Sequence, residues 1–130
     1  MLTCSLVTPE QTVLEEPVDF VALPLYDGEI GIAPGHSPMI GRLGLGEMRI
    51  TGEEGLRCFY VEGGFVEVFS GVVTVLTSRA VPAEELDEEA TGEQLATARA
   101  RPANTPELME QRDRAVAVAR AQLRVARRAK

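Results

Sequence analysis

Few side chains in this sequence have the types that perform chemistry, and each set lacks a member. His36 is the single histidine, and Ser37 follows it directly. A serine nucleophile needs its base opposite it and an acid behind the base. Neighbours in an extended loop point apart, and no acid is spaced to orient the ring, so His36 is expected to pack or hydrogen-bond at a surface. Five carboxylates crowd Glu84-Glu85-Leu86-Asp87-Glu88-Glu89. Paired acids do acid–base work, but at the start of a helix they favour its dipole, and that role is expected of these. Cys4 and Cys58 form no Cys-x-x-Cys, and with one histidine they make no metal-ligand set; both are read as free thiols. Gly41-Arg42-Leu43-Gly44-Leu45-Gly46 lacks the spacing of either common phosphate-cradling loop. No catalytic residue, metal or cofactor is expected, and binding is left as the function.

The elements that would carry a binding surface divide the chain in two. Residues 1–98 hold four arginines against seventeen Asp and Glu, a formal −13, whereas residues 99–130 hold eight arginines and Lys130 against three acids, a formal +6. A body this acidic repels nucleic acid, and the basic tail seeks an acidic surface, its own body included. All six aromatics lie between Phe20 and Phe69, and eleven of the twelve glycines between Gly28 and Gly71; alanine dominates after residue 98. β-branched and aromatic side chains suit a pleated sheet and alanine suits a helix. Strands are expected at Leu2 to Thr8, Val13-Leu14, Val18 to Leu25, Met48 to Ile50, Leu56 to Val61, Phe65 to Phe69 and Val72 to Leu76. Gly52-Glu53-Glu54-Gly55 and Ser70-Gly71 read as reversals. Short strands with turns every 8–12 residues predict a sandwich or flattened barrel over residues 1–81.

Residues 82–130 follow a different grammar. A helix is expected over 83–101, broken at Arg101-Pro102-Ala103-Asn104-Thr105. Thr105 suits an N-cap, with Pro106 and Glu107 in the first turn of a second helix. Met109, Val116 and Leu123 recur at steps of seven, with Arg112, Ala119 and Ala126 beside them. This is a narrow stripe that predicts an antiparallel helix hairpin with weak docking of its own. The N-terminus lacks a basic start and apolar run, so no signal peptide is expected, and the longest uncharged stretch, Ile30 to Gly41, is too short for a membrane helix.

The most distinctive stretch is Asp27-Gly28-Glu29-Ile30-Gly31-Ile32-Ala33-Pro34-Gly35-His36-Ser37-Pro38-Met39-Ile40. Alternating Gly and Pro force tight reversals and rigid steps, so the segment is expected to present Ile32, His36 and Met39 to a protein partner with little entropy to lose. From Gly28 to Met39 this string closely resembles the signature loop of the epsilon subunits of F-type ATP synthases. Gly46 with its hairpin, Val61-Glu62-Gly63-Gly64-Phe65-Val66-Glu67-Val68, and Val72 to Leu76 running into Ala80 agree in order and spacing.

That resemblance implies a flattened β-sandwich of about ten strands followed by an antiparallel two-helix hairpin. It implies a non-catalytic rotor-stalk subunit that joins the gamma subunit to the c-subunit ring in ATP synthesis driven by ion transport. The hairpin would restrain ATP hydrolysis through the catalytic alpha and beta subunits. The chain would then sit peripherally on the cytoplasmic face of the inner (plasma) membrane, touching it only through the complex. Glu29 matches a loop acid facing the c ring. Ile32, Pro34, Gly35, His36, Pro38 and Met39 match the region near gamma, and Arg120, Arg124, Arg127 and Arg128 would form the inhibitory tail. Some members bind ATP through Ile/Leu-Asp-x-x-Arg-Ala with two helix arginines. Here Leu86-Asp87-Glu88-Glu89-Ala90-Thr91 keeps only Asp87 of the polar set, and Val118 and Gln122 stand where the arginines would fall. With three cations lost, nucleotide sensing is not expected, and Arg120 and Arg124 are left to bind a phosphate weakly. Two other readings of the residues are a stand-alone β-sandwich binding module with a basic helical tail and a small hydrolase using the acidic cluster.

Overall fold

The computed structural model describes residues 1–129; Lys130, the last charge of the basic tail, lies outside the described residues. Ten strands among these residues form two sheets. They are β1 (Leu2–Val7), β2 (Thr12–Val18), β3 (Phe20–Leu25), β4 (Gly28–Ile32), β5 (Met39–Arg42), β6 (Leu45–Gly52), β7 (Gly55–Glu62), β8 (Phe65–Phe69), β9 (Val72–Leu76) and β10 (Ala80–Pro82). One sheet runs β2-β1-β9-β8-β5, and the other runs β10-β7-β6-β3-β4. Only β1 and β9 pair in parallel among the described strands; every other pairing is antiparallel.

Period-two alternation sends one face of each strand into a shared core. Leu2, Cys4 and Leu6 of β1, Val66 and Val68 of β8, and Val73 and Val75 of β9 meet Val21 and Leu23, Met48 and Ile50, and Phe59 and Val61 from the opposite sheet. Each such side chain contributes about 1.5–3 kcal/mol on burial. Turn chemistry sets the register of these faces. Ser70 and Gly71 both have positive φ, 50° and 78°, the mirror-image two-residue turn whose twist suits a hairpin, and β8 and β9 pair across it from Phe69↔Val72. Gly64, at φ +107°, could not carry a side chain: a Cβ there would lie 1.8 Å from the Leu76 carbonyl oxygen.

The expected Val18–Leu25 strand is interrupted at Asp19, where the chain passes from one sheet to the other. The helix expected over 83–101 is shorter. Residues Ala83–Glu85 form one 3₁₀ turn, Leu86 is extended, and α1 spans Glu88–Arg99. The cause is Asp87, whose carboxylate accepts the N–H groups of Glu89 and Ala90 and so starts a new helix. The second helix, α2 (Pro106–Arg128), is capped as expected by the Thr105 hydroxyl, which accepts the Leu108 N–H at 3.1 Å, with Pro106 at its first position.

The packing of α2 differs from the expected single stripe. Met109 is exposed. Ala119 and Leu123 meet Leu95 of α1, while Ala121 and Val125 form a second row against Tyr60 and Ala83. Two narrow rows of small residues let α2 lie close to both α1 and the sheet. The hairpin is therefore folded down on the outer face of β6 and β7, with Cys58, Leu45 and Leu86 at its edge.

Candidate functional site

The Gly–Pro segment divides into a strand and a loop. Gly28–Ile32 is the edge strand β4, and only residues 33–38 leave the sheet. Ala33 to His36 make a tight turn in which the His36 N–H donates to the Ala33 carbonyl at 3.2 Å, with Gly35 at φ +85°. Pro34 and Gly35 thus occupy the two positions a type II turn prescribes for them. Pro34, Gly35 and Pro38 are exposed and His36 is half-buried. The His36 Nδ1 lies 2.7 Å from the Ser37 carbonyl, which holds the ring along the loop. Ile32 is a correction: it is fully buried, paired with Val21 and packed in the sandwich core. As the last residue of β4 its side chain points inward by strand alternation, so it supports the loop and is not displayed. Met39 is half-buried against the same core.

Glu29 lies on the outward face of β4, two residues from Gly31. Arg49 of β6 reaches it across β3, with Nη2 at 2.9 Å from Oε1. The register places Ala22 between them, opposite both Arg49 and Gly31. The same guanidinium contacts Glu47 Oε1 at 3.3 Å through Nη1. Hydrogen bonding to Glu29 first, and then to Glu47, holds Arg49 more firmly protonated than usual.

The four tail arginines take separate roles. Arg127 donates from Nε to Glu88 at 3.1 Å, tying the end of α2 to the start of α1. Arg128 contacts Glu47 at 3.5 Å, tying the same end to β6. Arg120 and Arg124 line a cleft of about 700 Å³ between α2 and the sandwich, together with Arg42 and Arg114. Tyr26, beneath Arg42 at 5.4 Å from ring centre to guanidinium, forms one wall.

The nucleotide-pattern positions are occupied by other work. Asp87 is the α1 cap. Thr91 is buried, and its hydroxyl donates within its own helix to the Asp87 and Glu88 carbonyls. Gln122 is buried with its side chain against the Tyr60 hydroxyl. Tyr60 itself donates to Glu62 at 2.9 Å, and burial, then the Glu62 charge, push its pKa well above the usual value.

Sequence reasoning missed two features. One is the Arg49–Glu47 pair, whose only signal was outward alternation on β6. The other is the outer face of the β2-β1-β9-β8-β5 sheet, where Ile40, Phe65, Phe69, Val72 and Leu76 are exposed on adjacent strands β5, β8 and β9. Apolar residues at the odd positions of two strands facing even positions of the core were the available clue, since both faces then read as hydrophobic. No helix among the described residues is long and apolar enough to cross a membrane.

Comparison with known proteins places this geometry. The family described as ATP synthase, Delta/Epsilon chain, beta-sandwich domain, matches residues 1–83. An ATP synthase epsilon chain of Rhodopirellula baltica is 47% identical over 126 residues, covering 97% of this chain and 98% of that one. The epsilon chain of Syntrophobacter fumaroxidans is 43% identical over 82 residues, 63% of this chain and 61% of its own. Among solved structures, a chain of the Euglena gracilis mitochondrial ATP synthase, OSCP/F1/c-ring, superposes with a TM-score of 0.84 at 28% identity, over 92% of this chain and 78% of that one. A chain from the Tetrahymena thermophila mitochondrial ATP synthase central stalk and c ring shares the fold, with a TM-score of 0.74 at 13% identity over 96% of each.

Proposed function

We propose, from the premise that this chain belongs to the ATP synthase epsilon chain family, that it is a non-catalytic subunit of the central stalk, coupling the gamma subunit to the c-subunit ring. The observation that carries this reading is the unequal treatment of the two sheets. The hairpin covers the outer face of one around Tyr60 and leaves Phe20 and Leu56 exposed at its far end, while the outer face of the other keeps Ile40, Phe65, Phe69, Val72 and Leu76 in solvent. Apolar residues clustered on one face of a small domain mark a protein interface, and a stalk subunit gripping gamma needs such a face. The turn at Pro34, Gly35 and His36 extends the same end of β5 and adds a rigid rim.

Two further surfaces support the remaining contacts. Glu29, on the edge strand β4, suits the polar loops of the c ring. Arg120, Arg124, Arg127 and Arg128 suit an acidic target on the catalytic alpha and beta subunits when the hairpin extends. The division of labour follows residues 1–81 for stalk assembly and 82–130 for control of hydrolysis. The chain sits on the cytoplasmic face of the inner (plasma) membrane through its complex. Reconstituting gamma and the c ring with and without this chain tests the reading. A stable gamma–c-ring assembly that forms only in its presence supports it; equal assembly without it overturns it.

A further inference from the structure

Glu29 and the C-terminal end of α2 are joined by an unbroken line of charges. Glu29 meets Arg49 at 2.9 Å, Arg49 meets Glu47 at 3.3 Å, and Glu47 meets Arg128 at 3.5 Å. Both arginines contact the same atom, Oε1 of Glu47. The Glu47 side chain is only 8% exposed, against 55% for Glu29 and 58% for Arg128. All of the sandwich members project from the outward face of the β10-β7-β6-β3-β4 sheet, the face on which the hairpin is docked.

We propose that this line is a relay, in which docking of the hairpin and the pairing of Glu29 are energetically coupled. A nearly buried carboxylate needs compensation, and Glu47 takes it from two sources. When α2 is docked, Arg128 supplies part of it, and Arg49 is shared out toward Glu29. When α2 leaves, Glu47 retains Arg49 alone and draws it inward, which loosens the Glu29 pair and frees that carboxylate for another partner. Coupling is reciprocal, so removing the Glu29 charge lets Arg49 satisfy Glu47 and weakens the hold on Arg128. The bistable element is the hairpin itself, held to the sheet by small residues. The consequence for the stalk rests on the proposed placement of Glu29 against the c ring, whereas the relay does not.

The test uses the full chain and amide hydrogen exchange. Glu29→Gln should speed exchange of the α2 amides from Ala119 to Ala126 by about two- to five-fold, the range of weak ion pairs. Glu67→Gln removes an equal charge from the outer face of the other sheet and should leave α2 exchange as it was. In an Arg128→Ala background the Glu29→Gln effect should vanish. Equal α2 exchange in Glu29→Gln and Glu67→Gln, or an undiminished effect without Arg128, overturns the relay. A second measurement separates the relay from the placement of Glu29: Arg128→Ala should strengthen binding to the gamma–c-ring assembly only while Glu29 is present. If exchange behaves as described and binding shows no dependence on Glu29, the relay stands and the c-ring placement falls.

Discussion

Asp87 accepts the backbone N–H of Ala90 at 3.4 Å and that of Glu89 at 2.9 Å, closing the first turn of α1. The one polar residue retained from a nucleotide-binding pattern is thus engaged as a helix cap, and the residue standing in for that pattern's arginine is one it caps. A carboxylate at this position is useful to the fold with no ligand present.

Isolated protein should therefore bind ATP weakly or not at all. Calorimetry returning a micromolar Kd, near −8 kcal/mol, would overturn this. Ala90 is exposed, so Ala90→Arg adds a cation without disturbing packing and should strengthen whatever binding exists. Gln122 is buried, and an arginine there would dislodge α2 instead. Asp87→Ala should lower stability by about 1 kcal/mol through loss of the cap, read as a lower thermal midpoint.

Replacing Arg120, Arg124, Arg127 and Arg128 with Ala in the assembled enzyme should raise ATP hydrolysis while leaving stalk assembly intact. Each exposed pair is worth about 0–1 kcal/mol; Arg128 also ties the docked hairpin to Glu47, so losing four pairs in the extended state against one in the docked state shifts the two-state hairpin several-fold toward docking. The gain should shrink at high salt, where such pairs are screened beyond about 8–10 Å. Ending the chain after Ala83 should do the same and keep β10, whose Pro82 pairs with Phe59. Equal hydrolysis by all three enzymes at low salt would assign the tail a structural role alone.

At the turn, Gly35→Val should weaken gamma binding more than it unfolds the sandwich. A Cβ at Gly35 would meet nothing within 4 Å, but φ is +85°, so the penalty is conformational and local, about 1–2 kcal/mol. His36→Asp changes the same rim with no such strain and should also weaken binding. Unchanged gamma affinity in both variants, with intact melting transitions, would remove this loop from the interface.

Stability should fall at alkaline pH because of Cys4. Burial, partly offset by the Arg57 charge, pushes its thiol from 9.0 up to about 12. The folded state keeps the proton that the unfolded chain gives up, so the contribution is complete below about pH 9 and is lost as pH rises from there toward 12. The raised Tyr60 acts in the same sense at still higher pH. Denaturant midpoints measured from pH 8 to 11 should decline, and Cys4→Ala should flatten that decline; an identical slope in the variant would assign it to other groups.

Local chemistry was sufficient for much of this molecule. Ser70-Gly71 specified its hairpin because both residues had to take positive φ, and Thr105-Pro106 specified the start of α2 because cap and first turn are contiguous in sequence. The surfaces near the loop were legible from Pro34 and Gly35, whose turn is closed within four residues. Ile32 was not: whether the end of β4 faces core or solvent depends on its register with Val21 of β3, a strand whose sheet assignment is decided by the break at Asp19. Tertiary structure alone also decided that α2 buries two rows, because Ala121 and Val125 become core only once Tyr60 and Ala83 lie beneath them. The line from Glu29 to Arg128 spans ninety-nine positions and four residues on three elements. Ion pairs of that kind have no sequence period, since charge attracts through space and the sheet's order, not the chain's, sets who is near whom.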